Sequence, residues 1–158
     1  MLLWYVINTK PKKESQVERL FEEGGFTVYC PKYLHEKRVG PFFPGYAFVR
    51  FNFPEQFQMV KYTRGVKRVV GNDDGPTPIL EEIVMGIKAR EQGGLVVFEK
   101  YGQEPAVGDE IEVVEGPFKS LRGIFRKDVG DNERVMILLN YVSYQGTLLI
   151  EKAKLKKI

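Results

Sequence analysis

In the N-terminal part of the chain, short apolar runs typical of strands alternate with segments whose apolar positions follow the helical period. Residues 4–8 are rich in side chains that favour strands. Residues 14–23 carry apolar side chains at the helical period, namely Val17, Leu20 and Phe21. Because the glycine pair 24–25 follows, the pattern predicts a strand and then an amphipathic helix that ends there.

The next stretch predicts a continuing alternation of strands and helices. Strands are predicted at residues 26–29, 46–53 and 66–70, and the charged segment 32–40 is predicted as a loop or ribbon. Helices are predicted at residues 55–62 and 78–89, with Thr77 as N-cap of the second. This order indicates an α+β fold with an antiparallel sheet and flanking helices, which we assign to residues 1–92 as one domain.

After residue 106 the pattern changes to short strand-like runs separated by turns, at residues 110–114, 123–127, 134–139 and 146–150. A segment of roughly 50 residues with this pattern predicts a small β-barrel, in which closure removes exposed strand edges. We assign it to residues 106–158, with residues 93–105 as a linker. Within the linker, residues 95–98 are apolar enough to form a strand or a docking segment.

An α-helical hairpin is the alternative for this C-terminal domain, since residues 134–139 are also acceptable in a helix. Proline and glycine would interrupt helices at Pro117, Gly123, Gly130 and Gly146. Many of the remaining positions are β-branched and favour strands. Local preference therefore favours the barrel, although tertiary contacts decide the outcome.

Composition restricts the function classes. With 43% hydrophobic and 28% charged residues and a net charge of +3, the chain is typical of globular proteins. No apolar run approaches the ~20 residues of a membrane span, and the N-terminus lacks the features of a signal peptide, so we expect a cytoplasmic protein without membrane contact. One cysteine, Cys30, and one histidine, His35, provide neither a disulfide nor a zinc site.

No residue set suggests catalysis. The sequence has no Ser/His/Asp arrangement and no phosphate-binding glycine-rich loop with a lysine. We therefore expect a monomeric binding protein that is not an enzyme and needs no cofactor or metal.

Three segments carry a resemblance to a known family. Residues 108–123 form a turn, an alternating strand and a Gly-Pro corner at residues 116–117, and this stretch resembles the KOW motif of NusG proteins and of some ribosomal proteins. The segment 42–49 (FFPGYAFV), together with Trp4-Tyr5 and the stretch 63–66 (TRGV), resembles the NusG N-terminal domain. The brevity of the chain and residues 136–140 are similar to the specialised RfaH-like members.

The resemblance implies a transcription elongation and antitermination factor that suppresses pausing or termination. Its N-terminal domain would bind the β′ clamp helices of bacterial RNA polymerase through an apolar depression, where Phe43, Tyr46 and Phe48 match the family's positions. Gln58 and Met59 match the segment that contacts the gate loop of the β subunit. The alternative is that these aromatic rings are ordinary core; strand alternation puts Tyr46 and Phe48 on one face of the sheet.

The resemblance also implies contacts with nucleic acid and with a second protein partner. Lys10, Thr63 and Arg64 match positions by which RfaH-like members contact the non-template DNA strand. Arg19 and Lys67 add basic groups for backbone contacts, or belong to a solvated surface.

In the KOW domain, Phe118 and Leu121 lie at the turn where family members bind ribosomal protein NusE or the termination factor Rho, or they plug the barrel. A KOW-containing RNA-binding or ribosome-associated protein, acting through the basic segment 152–157, is the alternative function.

In RfaH-like members the C-terminal domain can form a helical hairpin that covers the clamp-binding site. An arginine of that hairpin pairs with an acidic residue just before the Phe-Pro motif. Arg134 matches the arginine, and Gly40 stands at the acidic position.

Overall fold

A five-stranded antiparallel sheet forms the centre of the N-terminal domain. The computed structural model describes residues 1–98, 117–126 and 128–155, with side chains described for residues 1–98, 121–126 and 128–144. The sheet contains β1 (Leu2–Thr9), β2 (Thr27–Tyr29), β5 (Tyr46–Asn52), β6 (Val66–Val69) and β9 (Pro78–Ile79). Their order is β2-β5-β1-β6, and β9 also pairs with β1. The β1–β5 register, from Leu2 opposite Asn52 to Asn8 opposite Tyr46, makes β1 and β5 the central pair.

Two helices cover one face of this sheet. They are α1 (Glu14–Glu23) and α2 (Phe57–Lys61). Alternate residues of β1 and β5 point at them, so a first core forms from side chains that include Tyr5, Ile7, Val17, Phe21, Ala47, Val49, Phe51 and Val60.

The opposite face of the sheet carries the larger core. It packs against α3 (Glu81–Lys88) and a two-stranded ribbon of β3 (Lys32–His35) and β4 (Arg38–Pro41). Two smaller ribbons border it, one of β7 (Gly71–Asn72) with β8 (Gly75–Pro76) and one of β10 (Glu91–Gln92) with β11 (Leu95–Val96).

The C-terminal segment is a helical hairpin of α4 (Pro117–Ile124) and α5 (Asp131–Leu155), which pack against each other and against this larger core. The barrel predicted for residues 106–158 is therefore wrong for residues 117–124 and 131–155, and the alternative is what forms. The predicted strands 134–139 and 146–150 lie within α5, and residues 123–124 end α4. The predicted strand 110–114 lies outside the described residues.

The physical reason is tertiary packing. The hairpin buries an apolar set against the sheet and α3, consisting of Leu121, Ile124, Phe125, Leu138, Tyr141 and Val142. Burying one such side chain contributes roughly 1.5–3 kcal/mol, whereas strand and helix preferences differ by less than about 1 kcal/mol per residue. Packing therefore outweighs the local preference for strands.

Most N-terminal predictions are confirmed. The first helix spans residues 14–23 as predicted, and the charged segment forms the β3–β4 ribbon. The third helix was predicted too long, because residues 78–79 pair with β1 as β9 and α3 begins only at Glu81, with Leu80 as its N-cap residue. Thr77 is consequently not the cap. No helix in the described part of the chain is both long and apolar enough to cross a bilayer.

Candidate functional site

The alternation of β5 separates its side chains between the two cores as predicted. Phe48 is 1% exposed and belongs to the core beneath the hairpin, and the half-buried Tyr46 packs against the same core. Ala47 and Val49 belong to the core beneath α1 and α2. Tyr46 and Phe48 therefore lie on the hairpin side of the sheet.

The segment between β4 and β5 adds two more rings to this side. The amide of Phe42 donates to the carbonyl of Pro31 at 2.8 Å, and the amide of Tyr46 donates to the carbonyl of Phe43 at 2.9 Å. The second bond closes a tight turn over residues 43–46, and both phenylalanines are buried. The resulting aromatic face consists of Tyr29, Tyr33, Phe42, Phe43 and Phe48, with Tyr46 at its margin.

The rings of the aromatic face contact one another in sequence. Phe42 and Phe43 meet edge to face with centroids 5.0 Å apart, and Phe43 meets Phe48 in the same way at 5.9 Å. Tyr29 stacks on Phe48 at 6.1 Å. Such a continuous set of large, rigid side chains has the composition of a protein–protein interface core.

The hairpin covers the aromatic face. The ring of Phe125 stacks on that of Phe42 with centroids 5.7 Å apart, and the guanidinium of Arg90 lies 4.7 Å from the Phe125 centroid. Leu121 of α4 packs so closely on α3 that a Cβ added at Gly86 would lie 3.1 Å from its Cδ1. In this conformation Phe43 and Phe48 are each 1% exposed and are closed to any partner.

Arg134 is the buried polar group of this contact, with 2% of its surface exposed. Its Nε donates to the carbonyl oxygen of Phe42 at 3.0 Å, and its Nη1 donates to the carbonyl oxygen of Val129 at 2.9 Å. Its Nη2 forms an ion pair with Asp131. A buried charge is tolerated when it is both paired and hydrogen-bonded, and Arg134 meets both conditions.

Three rings surround the same guanidinium, and we refer to Tyr33, Phe42 and Phe98 as the aromatic cage. Their centroids lie 4.6, 4.5 and 5.4 Å from Cζ of Arg134, respectively, within the range of cation–π attraction. The hydroxyl of Tyr33 donates to Asp131 at 2.5 Å. Burial, followed by this hydrogen bond, raises the pKa of Tyr33.

The sequence pattern did not predict the aromatic cage. The resemblance identified Arg134 but expected an acidic partner before the Phe-Pro motif. Gly40 occupies that position, and the carbonyl and ring of Phe42 bind the guanidinium instead. Aromatic residues at 33, 42 and 98 were visible in the sequence, but only the fold brings them together.

The predicted nucleic-acid residues meet around a turn at Gly65, on another part of the domain. The amide of Lys10 donates to the carbonyl oxygen of Gly65 at 2.8 Å, and the hydroxyl of Thr63 donates to the carbonyl oxygen of Met59 at 2.7 Å. Arg64 is exposed beside them. The structure therefore brings Lys10 together with the turn at residues 63–65.

Lys67 and Arg19 extend the basic character around this turn. Lys67 is exposed on β6 and lines a cleft together with Lys12. Arg19 is exposed further along α1, with its Nε 3.9 Å from a carboxylate oxygen of Glu23. These two cations are therefore accessible to solvent.

Gln58 and Met59 are exposed on α2, with Met59 at 61%. They are accessible with the hairpin in place. Of the predicted KOW contacts, Leu121 lies in α4 and is 8% exposed within the hairpin interface. Phe118 lies in α4, and its side chain falls outside the described residues.

Cys30 and His35 carry side chains of the kinds that act in catalysis or bind metal ions in other proteins. Cys30 is buried, and its burial, with a smaller contribution from Glu18, raises the pKa of the thiol to about 12. Among the described residues, no group of three or more His, Cys, Asp and Glu could hold a metal ion. His35 is exposed beside Glu36.

Comparisons with known proteins agree with the resemblance. A family model described as NusG, transcription termination factor nusG, matches residues 2–88. The transcription termination/antitermination protein NusG of Streptomyces virginiae is 27% identical over 165 residues, covering 84% of this chain and 55% of that protein. The NusG protein of Streptomyces griseus is also 27% identical over 165 residues, with 84% and 56% covered. The chain spans about half the length of these curated relatives.

A solved structure titled "Domain interaction in Thermotoga maritima NusG" is 23% identical and covers 75% of each chain, with a TM-score of 0.45.

Proposed function

Because this chain belongs to the NusG family of transcription termination and antitermination factors, we propose that it is an elongation and antitermination factor that binds bacterial RNA polymerase. It acts in the cytoplasm as a binding protein and not as an enzyme. The named relatives are described as termination and antitermination proteins, and this chain takes the same class of activity.

The polymerase contact uses the aromatic face. The observation that carries this proposal is that the face already packs against a pair of helices, α4 and α5. The clamp of the β′ subunit also presents a pair of helices, so the same apolar surface suits both. Phe43 and Phe48 form the floor of the contact, and Tyr46 forms its margin.

Binding of the clamp helices requires the hairpin to leave. Phe43 and Phe48 are each 1% exposed while α4 and α5 are docked, and two helical partners cannot occupy one surface. The described conformation is therefore closed, and the polymerase competes with the chain's own hairpin. Recruitment of NusE or Rho through Phe118 and Leu121 has the same requirement, because Leu121 is buried in the closed conformation.

Two further contacts complete the proposal. Gln58 and Met59 are exposed on α2 and supply a contact to the gate loop of the β subunit. Lys10, Arg19, Thr63, Arg64 and Lys67 supply contacts to the non-template DNA strand. Basic groups bind the phosphate backbone without regard to sequence, which suits a factor that travels with the polymerase.

A pull-down with core RNA polymerase tests the proposal. The full chain is expected to bind, and Tyr46→Ala is expected to weaken binding, because truncating an aromatic residue at an interface margin removes contact area. Tyr62→Ala is the matched control, since Tyr62 is 74% exposed and lies next to the Gly65 turn, away from the aromatic face. No binding of the chain, or equal binding of the Tyr46→Ala variant, would refute the proposal.

A further inference from the structure

Among the described residues outside the hairpin, the contacts of Arg134 include no acidic group. The cage rings lie 4.6, 4.5 and 5.4 Å from Cζ of Arg134, and the Phe42 carbonyl oxygen lies 3.0 Å from Nε. The carboxylate that pairs with the guanidinium is that of Asp131, which belongs to α5. Both the cation and its counter-ion therefore leave together when the hairpin leaves.

What remains outside the hairpin is suited to receive another cation. The faces of the rings of Tyr33, Phe42 and Phe98 are negative and attract a cation. A guanidinium suits them better than an ammonium, because it is planar, stacks on aromatic faces and is more weakly hydrated. The Phe42 carbonyl supplies an acceptor directed at the same point. The three rings and the carbonyl oxygen together suit an arginine side chain.

We infer that the polymerase places an arginine side chain in this cage when it displaces the hairpin. The inference rests on the proposed function, since it names the chemistry of the helices that take the hairpin's place. It goes further by committing to a guanidinium contact beside the apolar one.

The spacing between Arg134 and Leu138 on α5 indicates the spacing that a partner helix needs between its arginine and an apolar side chain. On α5, Arg134 is followed four positions later by Leu138, which is 1% exposed and packs in the same core. Residues four apart lie on one face of a helix. A partner helix with an arginine four positions from an apolar side chain would therefore fill the cage and the adjoining apolar surface together.

Phe98→Leu tests the inference when it is made in two backgrounds, the natural chain and Arg134→Ala. Leucine keeps an apolar side chain at this half-buried position but removes the ring. The affinity of all four full-length chains for core RNA polymerase is measured, and the thermal unfolding of each is recorded to show that it folds.

With a partner arginine in the cage, Phe98→Leu lowers affinity in the Arg134→Ala background. The expected loss is from about twofold to about thirtyfold, the effect of roughly 0.5–2 kcal/mol for one cation–π contact. In the natural background Phe98→Leu weakens the hairpin's own Arg134 contact, which raises the affinity for polymerase. It also weakens the contact with the partner arginine, which lowers that affinity, so the measured affinity changes little.

The opposite pattern overturns the inference. If the cage serves Arg134 alone, Phe98→Leu raises affinity in the natural background and has no effect in Arg134→Ala. Failure of every chain to bind polymerase would instead remove the proposed function, and this inference with it. Phe53→Leu, the same substitution at an exposed position outside both cores, is the control and is expected to leave affinity unchanged.

Discussion

Arg134 of α5 donates its Nε hydrogen to the carbonyl oxygen of Phe42 over 3.0 Å, and its guanidinium lies 4.5 Å from the centroid of the same residue's ring. One residue of the aromatic face thus binds the hairpin through both its backbone and its side chain. The contact connects the hairpin to the segment that leads into β5, where the residues proposed to contact polymerase lie.

Arg134→Ala is expected to weaken hairpin docking. Loss of a hydrogen bond to a charged group costs about 1.5–3 kcal/mol, which corresponds to a roughly tenfold to hundredfold shift in the docking equilibrium. Hydrogen exchange of the backbone amides in residues 131–144 should accelerate by a similar factor. Arg126→Ala is the control, because Arg126 is exposed and pairs with Asp128 at the surface. Equal exchange in the two variants would show that Arg134 does not hold the hairpin.

Gly65→Ala is expected to destabilise the N-terminal domain. Gly65 has a φ of +95°, and an added Cβ would lie 2.8 Å from Cγ2 of Val17, a contact that the core cannot relieve without a shift. Strain of this kind costs about 1–3 kcal/mol, to be measured as a lower free energy of unfolding in urea.

Gly94→Ala separates the two contributions at Gly65. Gly94 has a similar positive φ, of +83°, but an added Cβ would meet no atom within 4 Å. Its substitution should therefore cost less than that at Gly65. Equal losses would mean that the contact with Val17 adds nothing to the backbone strain.

Cys30 is expected to make stability depend on pH in the alkaline range. The pKa of its thiol is raised from 9.0 to about 12 in the folded chain. The unfolded chain therefore loses this proton first. The contribution of the thiol to stability is full below about pH 9 and is lost as the pH rises towards 12. The free energy of unfolding of Cys30→Ala should fall less steeply over this window than that of the natural chain, and parallel curves would contradict the assignment.

Arg64→Ala is expected to weaken binding to single-stranded DNA. A phosphate contact contributes a slope of about −0.7 to the dependence of log affinity on log salt for single strands. The variant should therefore bind less tightly at low salt and show a smaller slope, as measured by anisotropy of a labelled oligonucleotide. Arg126→Ala, which alters an exposed arginine of the hairpin, serves as the control. An unchanged slope would place the DNA contact elsewhere.

The N-terminal domain could be predicted because its local and tertiary preferences agree. Val17 and Phe21 follow the helical period and are buried in α1, and the alternation of β5 puts Phe48 and Val49 on opposite faces. In such segments the residue pattern itself records which side faces the core. The start of the third helix was predicted at Pro78 instead of Glu81, because the two-residue strand β9 that pairs with β1 has no periodic pattern of its own.

The C-terminal segment could not be predicted in the same way. Residues 134–139 suit either a strand or a helix, and the aromatic face that decides between them lies about 90 positions earlier in the chain. The burial of Leu138 and the contacts of Arg134 select the helix. For the same reason, the sequence does not show that Leu121 is buried against α3.

The central claim is that hairpin and polymerase compete for the aromatic face, and the affinity of Leu138→Ala for core RNA polymerase tests it most directly. Leu138 is 1% exposed, and a Leu→Ala change in a core costs about 2–5 kcal/mol. Because apparent affinity scales with the fraction of open molecules, we predict at least roughly tenfold tighter binding. Met136→Ala, on the same helix with 62% exposure, should bind like the natural chain. Leu138→Ala binding no more tightly than Met136→Ala would contradict the account.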